Sequence, residues 1–167
     1  MKLKLLRALL LVAIICTTYS CTSDSSDMIT ADTLAEQVTI YSYNTIEIET
    51  MNLINAHRVS KGLNPLEKIN HMSYKSEEHV FYMIANNVVN HNDFVARSEN
   101  IMKTLGAKSV SENIAYNYNT PQAVLNAWLA SSGHKENIEG NFTHFGIAIK
   151  ENPVNGRKYY TNIFAKI

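Results

Sequence analysis

Ile48, Met51, Leu53, Ile54 and Val59 recur at roughly helical spacing, and the pattern opens on Asn44 with Glu47 three residues later, the signature of a capping box. Gly62 is the natural left-handed stop for this first helix. After an Asn64-Pro65 turn, Asn70 is the expected cap of a second helix whose Met72, Ser76, His79, Val80, Met83, Ile84 and Asn87 share one side. Its end is expected near Asn90-His91-Asn92. A third helix runs from about Asp93 to Leu105 and stops at Gly106. A fourth opens on Thr120-Pro121, a capping hydroxyl followed by proline at the first helical position, with Gly133 expected to close it.

The period then changes from helical to alternating. Phe145, Ile147 and Ile149 alternate with Gly146, Ala148 and Lys150, and Tyr159, Thr161, Ile163 and Ala165 alternate beyond Asn155-Gly156. Asn-Gly between two such runs predicts a hairpin, because a two-residue turn needs positive φ at both positions. Two strands alone are marginal in water, and Val110–Tyr118 is the segment able to supply a third. Four or so helices with a small antiparallel sheet make an α+β fold, helices packed on the sheet.

Upstream of this domain the pattern is of another kind. Lys2, Lys4 and Arg7 precede the apolar run 8–16, and Thr17-Thr18-Tyr19-Ser20 lead to Cys21, the layout of an export signal too short to span a bilayer as a helix. The division expected is a signal peptide over 1–20, a polar linker over 21–40 and one domain over 41–167. Ser20 before Cys21 resembles the cleavage box of bacterial lipoproteins, in which the cysteine is acylated, although Thr18 and Tyr19 depart from it. An ordinary secretory signal with an incidental cysteine is the alternative. The 167 residues carry 15 Lys+Arg and 15 Asp+Glu, but all the acids follow Cys21, so the mature part is mildly acidic and a nucleic-acid partner is not expected. No cysteine follows Cys21, which excludes disulfides within the domain.

Candidate chemistry is sparse. The chain has no Gly-rich phosphate loop, H-E-x-x-H, G-x-S-x-G or Cys-x-x-Cys. His91, Glu112 and His134 stand at helix ends or in connections, where a scaffold presents side chains to a cleft. The 43 residues between the two histidines fit no local ligand motif, so a metal site would have to be assembled in three dimensions. His57 and Arg58 read as packing or pairing at the domain surface, His79 as a hydrogen-bonded histidine of the cleft wall or core, and Trp128 as a core anchor. Asn137 reads as structural, bonding backbone and holding His134.

The succession Leu53-Ile54-Asn55-Ala56-His57-Arg58, Gly62-Leu63-Asn64-Pro65-Leu66, His91-Asn92-Asp93-Phe94, Ser111-Glu112-Asn113-Ile114-Ala115, Trp128, Ser132-Gly133-His134-Lys135-Glu136-Asn137-Ile138 and Phe142-Thr143-His144-Phe145-Gly146-Ile147-Ala148 resembles the bacterial branch of the CAP superfamily. This superfamily, also called the SCP domain, includes cysteine-rich secretory proteins, antigen 5 and pathogenesis-related proteins. The resemblance covers about residues 46–167 and implies a three-layer α-β-α sandwich with a central cleft. It assigns His91, Glu112 and His134 to that cleft, with Ser131 where animal and plant members carry a second glutamate, and Ser111 in place of a glycine.

Two imidazoles across a cleft can hold a divalent cation, zinc first, with Glu112 as a third ligand or as the orienter of a ring N–H. A cleft holding water and no metal is the equal alternative. The function expected is an exported, membrane-anchored domain that binds a lipid, envelope component or protein without a catalysed step. Its rival is a metal-assisted hydrolase using His91, His134 and Glu112, with Glu112 as base; a serine mechanism at Ser131 or Ser132 ranks below both.

Overall fold

The computed structural model describes residues 37–167, so the expected signal peptide, Cys21 and most of the linker lie outside the described residues. Among those described, five helices and four strands follow one another: α1 (Thr45–Ser60), β1 (Glu67–Lys68), α2 (Asn70–Asn86), α3 (Phe94–Leu105), β2 (Ser109–Tyr116), α4 (Pro121–Ala130), α5 (Ser132–Glu139), β3 (His144–Glu151) and β4 (Lys158–Lys166). The sheet order is β1-β3-β4-β2, with β1 parallel to β3 and the other pairs antiparallel.

Alternation along the central strands builds the layers. Phe145, Ile147, Ile149, Tyr160 and Phe164 pack with Met51 and Ile54 of α1, Val124, Leu125 and Trp128 of α4 and Ile138 of α5. On the opposite face Ile163 and Ala165 meet Met72 and Ile101, while Ala148 and Tyr159 meet Val80 and Met83, which brings α2 and α3 to that side. This is the α-β-α sandwich, an α+β fold with helices on both faces. Helix α2 lies so close to β3 that a Cβ on Gly146 would stand 2.5 Å from Met72. Only glycine fits under this helix.

The capping box forms as the sequence predicts: Asn44 Oδ1 accepts from Glu47 N and Glu47 Oε2 accepts from Asn44 N, each at 2.9 Å. Glu47 is buried because its other oxygen accepts from Ile149 N at 2.9 Å, closing the β3 edge beyond the two residues that β1 covers. Ser73 Oγ does the same for Ile147 N. Arg58 is not at the surface as expected. It is fully buried and donates to the carbonyls of Asn64, Ile138, Gly140 and Phe142, binding the end of α1 to the turn before β3. His57, half-buried, pairs with Glu139 of α5 at 2.8 Å.

Several boundaries differ from the pattern-based expectation. Asn70 is not the cap of α2 but its first residue, after Ile69. That helix ends at Asn87 in the left-handed conformation, three residues before the Asn90–Asn92 cluster, because Asn tolerates positive φ. Gly133 does not stop α4. The break falls at Ser131, whose extended backbone ends α4 and begins α5, a helix with one buried residue, Ile138, and so no apolar period to reveal it. In the hairpin only Gly156 has positive φ; Asn152 N donates to Arg157 O, so four residues rather than two make the turn.

Candidate functional site

Strand β2 runs along one edge of the sheet, and its alternation sends Glu112 toward α2 and α3 while Asn113 faces the other layer. Glu112 carries no water-exposed side-chain surface to speak of, at 1%. Its charge is met by Arg97 of α3, which donates through Nε to Oε2 and through Nη2 to Oε1, both at 3.0 Å. A forked guanidinium–carboxylate pair is the strongest arrangement for two such groups and fixes the plane of both. His91, in the loop between α2 and α3, places Nδ1 2.8 Å from Oε1, and its ring is 48% exposed. Behind them lies His79 of α2, whose Nδ1 is 3.0 Å from Thr161 Oγ1 and 3.6 Å from Glu112 Oε2.

The result is a carboxylate anchored from the inside by arginine and holding an imidazole on the outside. Such a pairing fixes the orientation of the ring and leaves Nε2 as the nitrogen of His91 free to address a ligand. The residues expected from the sequence include His91 and Glu112 but not Arg97. Its signal is indirect: Glu112 falls within the candidate strand Val110–Tyr118, Arg97 lies on the helix predicted from Asp93 to Leu105, and a carboxylate that turns out buried requires a cation.

The other two expected cavity residues, Ser131 and His134, lie at the junction of α4 and α5. They line a cavity of about 350 Å³ that wraps the outer edge of β2, walled by Tyr116, Tyr118, Ala127 and Trp128. Trp128 is the core anchor expected, and its Nε1 donates to Ile114 O at 2.9 Å, covering that strand edge as well. Asn137 acts as a structural residue through an intermediary: it donates to Asn113 Oδ1 at 2.8 Å, and Asn113 donates to the His134 carbonyl at 3.0 Å.

His91 and Glu112 are not among the residues lining this cavity; they bond each other beside it. The two histidines still feel one another: burial, and then the charge of His91, hold the His134 ring below the ordinary histidine range. Among the described residues no group of three or more His, Cys, Asp or Glu side chains is disposed to hold a metal ion. Glu112 fits the role of third ligand poorly, since both its oxygens already accept from Arg97 and His91.

A three-layer α-β-α domain with a carboxylate–histidine pair beside an aromatic cleft on its edge strand defines the class. The sequence profile described as the cysteine-rich secretory protein family, CAP, matches residues 51–164, and the chain belongs to that family. It is 34% identical over 114 residues to the uncharacterized protein YkwD of Bacillus subtilis (strain 168), covering 66% of this chain and 44% of that protein. The uncharacterized membrane protein YlbC of the same organism is 31% identical over 129 residues, covering 73% of this chain and 35% of that protein. The chain thus spans less than half the length of either relative. Among solved structures, an outer surface protein from Borrelia burgdorferi shares the fold at a TM-score of 0.66 and 20% identity, covering 78% of this chain and 98% of that one. An extracellular protein containing an SCP domain from Bacillus anthracis str. Ames does so at 0.62 and 24%, covering 72% of this chain and 40% of that one.

Burial pushes the His79 pKa down from the usual 6.5 to about 4; Glu112 opposes that shift and Arg97 adds to it. Because the folded value lies below the unfolded one, neutral His79 favours the folded state above pH 6.5, and that contribution is lost as the pH falls toward 4. Urea unfolding across this window should show a decline to which His79 contributes on the order of 2–3 kcal/mol, and His79→Gln should flatten the curve by that part. An unchanged slope in His79→Gln would contradict the assignment.

Proposed function

We propose that this CAP domain is an exported binding module that takes a ligand into the cleft beside β2 and carries out no chemical step on it. One observation carries the reading: the cavity is walled by Tyr116, Tyr118 and Trp128, with Ser131 and His134 as its polar groups. A concave, mainly apolar wall with a few polar groups is the usual form of a binding site for an amphiphile or a peptide side chain. Nothing in this lining supplies a nucleophile with a base and an orienter in hydrogen-bond reach, and the one carboxylate nearby is committed to Arg97. The ligand class proposed is an envelope-derived lipid or peptide, bound by its apolar group with a polar end at Ser131 and His134.

A second reading has its own observation. The pairing of His91 Nδ1 with Glu112 is how proteins orient an imidazole toward a cation, so a divalent ion, zinc first, would bind through His91 and His134. Two protein ligands make a weak, proton-sensitive site. Water activated at such an ion is what the hydrolase alternative would require. Glu112 in that case serves as orienter of His91 and not as base.

Export and anchoring are part of the proposal and rest on the pattern of residues 1–21. They agree with the description of one relative as a membrane protein and of two solved neighbours as outer-surface and extracellular proteins.

Trp128 is the single tryptophan of the chain and one wall of the cleft, so tryptophan fluorescence reports from that wall. Titration with bacterial phospholipid micelles and with envelope-derived peptides should give a saturable change with one of them, weakened about tenfold or more by Ala127→Leu, which fills the cavity. Zinc calorimetry should show weak binding lost in both His91→Ala and His134→Ala. Cleavage of a peptide probe, abolished by Glu112→Gln in a folded protein, would overturn the non-catalytic reading. For the anchor, mass spectrometry of the mature protein from the bacterial membrane should find an acylated Cys21 at the N-terminus; an intact or unacylated Cys21 would contradict it.

A further inference from the structure

The residues leading into α1 lie across the domain as a strap. Tyr41 OH donates to buried Glu47 at 3.1 Å, Tyr43 OH lies 2.8 Å from Ser73 Oγ, and the two rings pack edge to face at 4.7 Å. Lys150 sits over the Tyr41 ring and Lys68 over the Tyr43 ring. This half of the strap is held by packing.

The half before it, residues 37–40, is held differently. Ile40 is 83% exposed and contributes no packing. Among the described residues two polar contacts hold this stretch: Asn70 Nδ2 donates to Thr39 O at 2.6 Å, and Val38 N donates to Nδ1 of His71 at 3.1 Å. His71 is buried at the start of α2, and its other nitrogen, Nε2, faces Asn100 Oδ1 of α3 at 2.8 Å. A ring that accepts at Nδ1 and donates at Nε2 is neutral, with one defined tautomer. Protonation would set an N–H against the Val38 N–H. That turns an attractive contact into a repulsive one while the bond to Asn100 survives.

We infer that His71 is an acid-sensitive latch on residues 37–38, closed while its ring is neutral and open once Nδ1 gains a proton. The charged groups felt at the ring are Lys75, which opposes protonation, and Glu78, which favours it, both on α2; α3 contributes neutral Asn100, and Gln37 through Ile40 carry no charge. Burial is the largest influence on the ring and keeps it neutral at ordinary pH, so the latch is closed there and opens on acidification. Release frees the chain up to Val38 while Asn70 still holds Thr39, which lengthens the lead into the domain by about 7 Å when those two residues extend. The Tyr41–Tyr43 half stays docked. For a domain tethered through its N-terminal side, this is a change of reach that does not touch the fold.

The test is amide exchange at Val38 in the full chain by nuclear magnetic resonance, read alongside the ring titration of His71. Protection of Val38, corrected for intrinsic exchange, should fall about fivefold or more as the His71 ring titrates, while amides of α2 stay protected. His71→Gln should remove the pH dependence. Asn100→Asp, which favours the charged ring, should move the release to higher pH. Constant Val38 protection through the ring titration, a ring that stays neutral until the domain unfolds, the same release in His71→Gln, or an unmoved midpoint in Asn100→Asp would each overturn the latch.

Discussion

The carboxylate of Glu112 governs the functional end of this domain. It sits on an edge strand, is enclosed to 1% exposure, and is met by Arg97 with two hydrogen bonds. An unpaired charge at this depth would cost several kilocalories, so the pair stands or falls together. From it follow three placements. Helix α3 is held against β2, His91 is oriented from behind at the rim, and His79 lies beneath, kept neutral by burial and by Arg97 against the pull of the carboxylate. The arrangement commits both carboxylate oxygens to holding Arg97 and His91.

The same logic of side chains completing backbone runs through the sheet. Glu47 and Ser73 close the exposed run of β3. Asn55 brackets Leu66 ahead of β1 with a bond in each direction, at 2.8 and 2.9 Å. Trp128 and Asn137 cover the carbonyls of Ile114 and Glu112 on β2. A four-stranded sheet with a two-residue flank at one side and an uncovered edge strand at the other would otherwise present pairing edges, and these side chains blunt them. They also set the site: Trp128 closes the edge of β2 and walls the cavity at once, so the cleft is a by-product of how the sheet is finished.

Much of the fold is legible in the chain. The α1 capping box, the Thr120-Pro121 start of α4, the Gly106 stop and the alternation of β3 and β4 are local signals, and the structure has each of them in place. What escapes such reading is short or non-local. Two-residue β1 exists because Thr143 and Phe145 carbonyls wait for it, and α5 exists because Ser131 breaks a run that the pattern alone carries on to Gly133. Arg58 looks like an ordinary surface arginine, since its five acceptors come from segments up to 84 residues away. In the site, the resemblance assigns His91, Glu112, Ser131 and His134 to one cleft; the structure pairs His91 with Glu112 and lines a cavity with Ser131 and His134, and the His134 ring feels the charge of His91. Arg97 and His79, which hold the carboxylate from within, belong to helices whose periodicity says only that they face inward.

A double-mutant cycle on Arg97 and Glu112, read by urea unfolding at neutral pH, bears most directly on this account. Arg97→Met alone should cost about 3–5 kcal/mol by stranding the buried carboxylate, and adding Glu112→Gln should restore a large part, giving a coupling of about 2 kcal/mol or more. Losses that simply add, to within about 0.5 kcal/mol, would show that the two groups act independently and that Glu112 is not held as described.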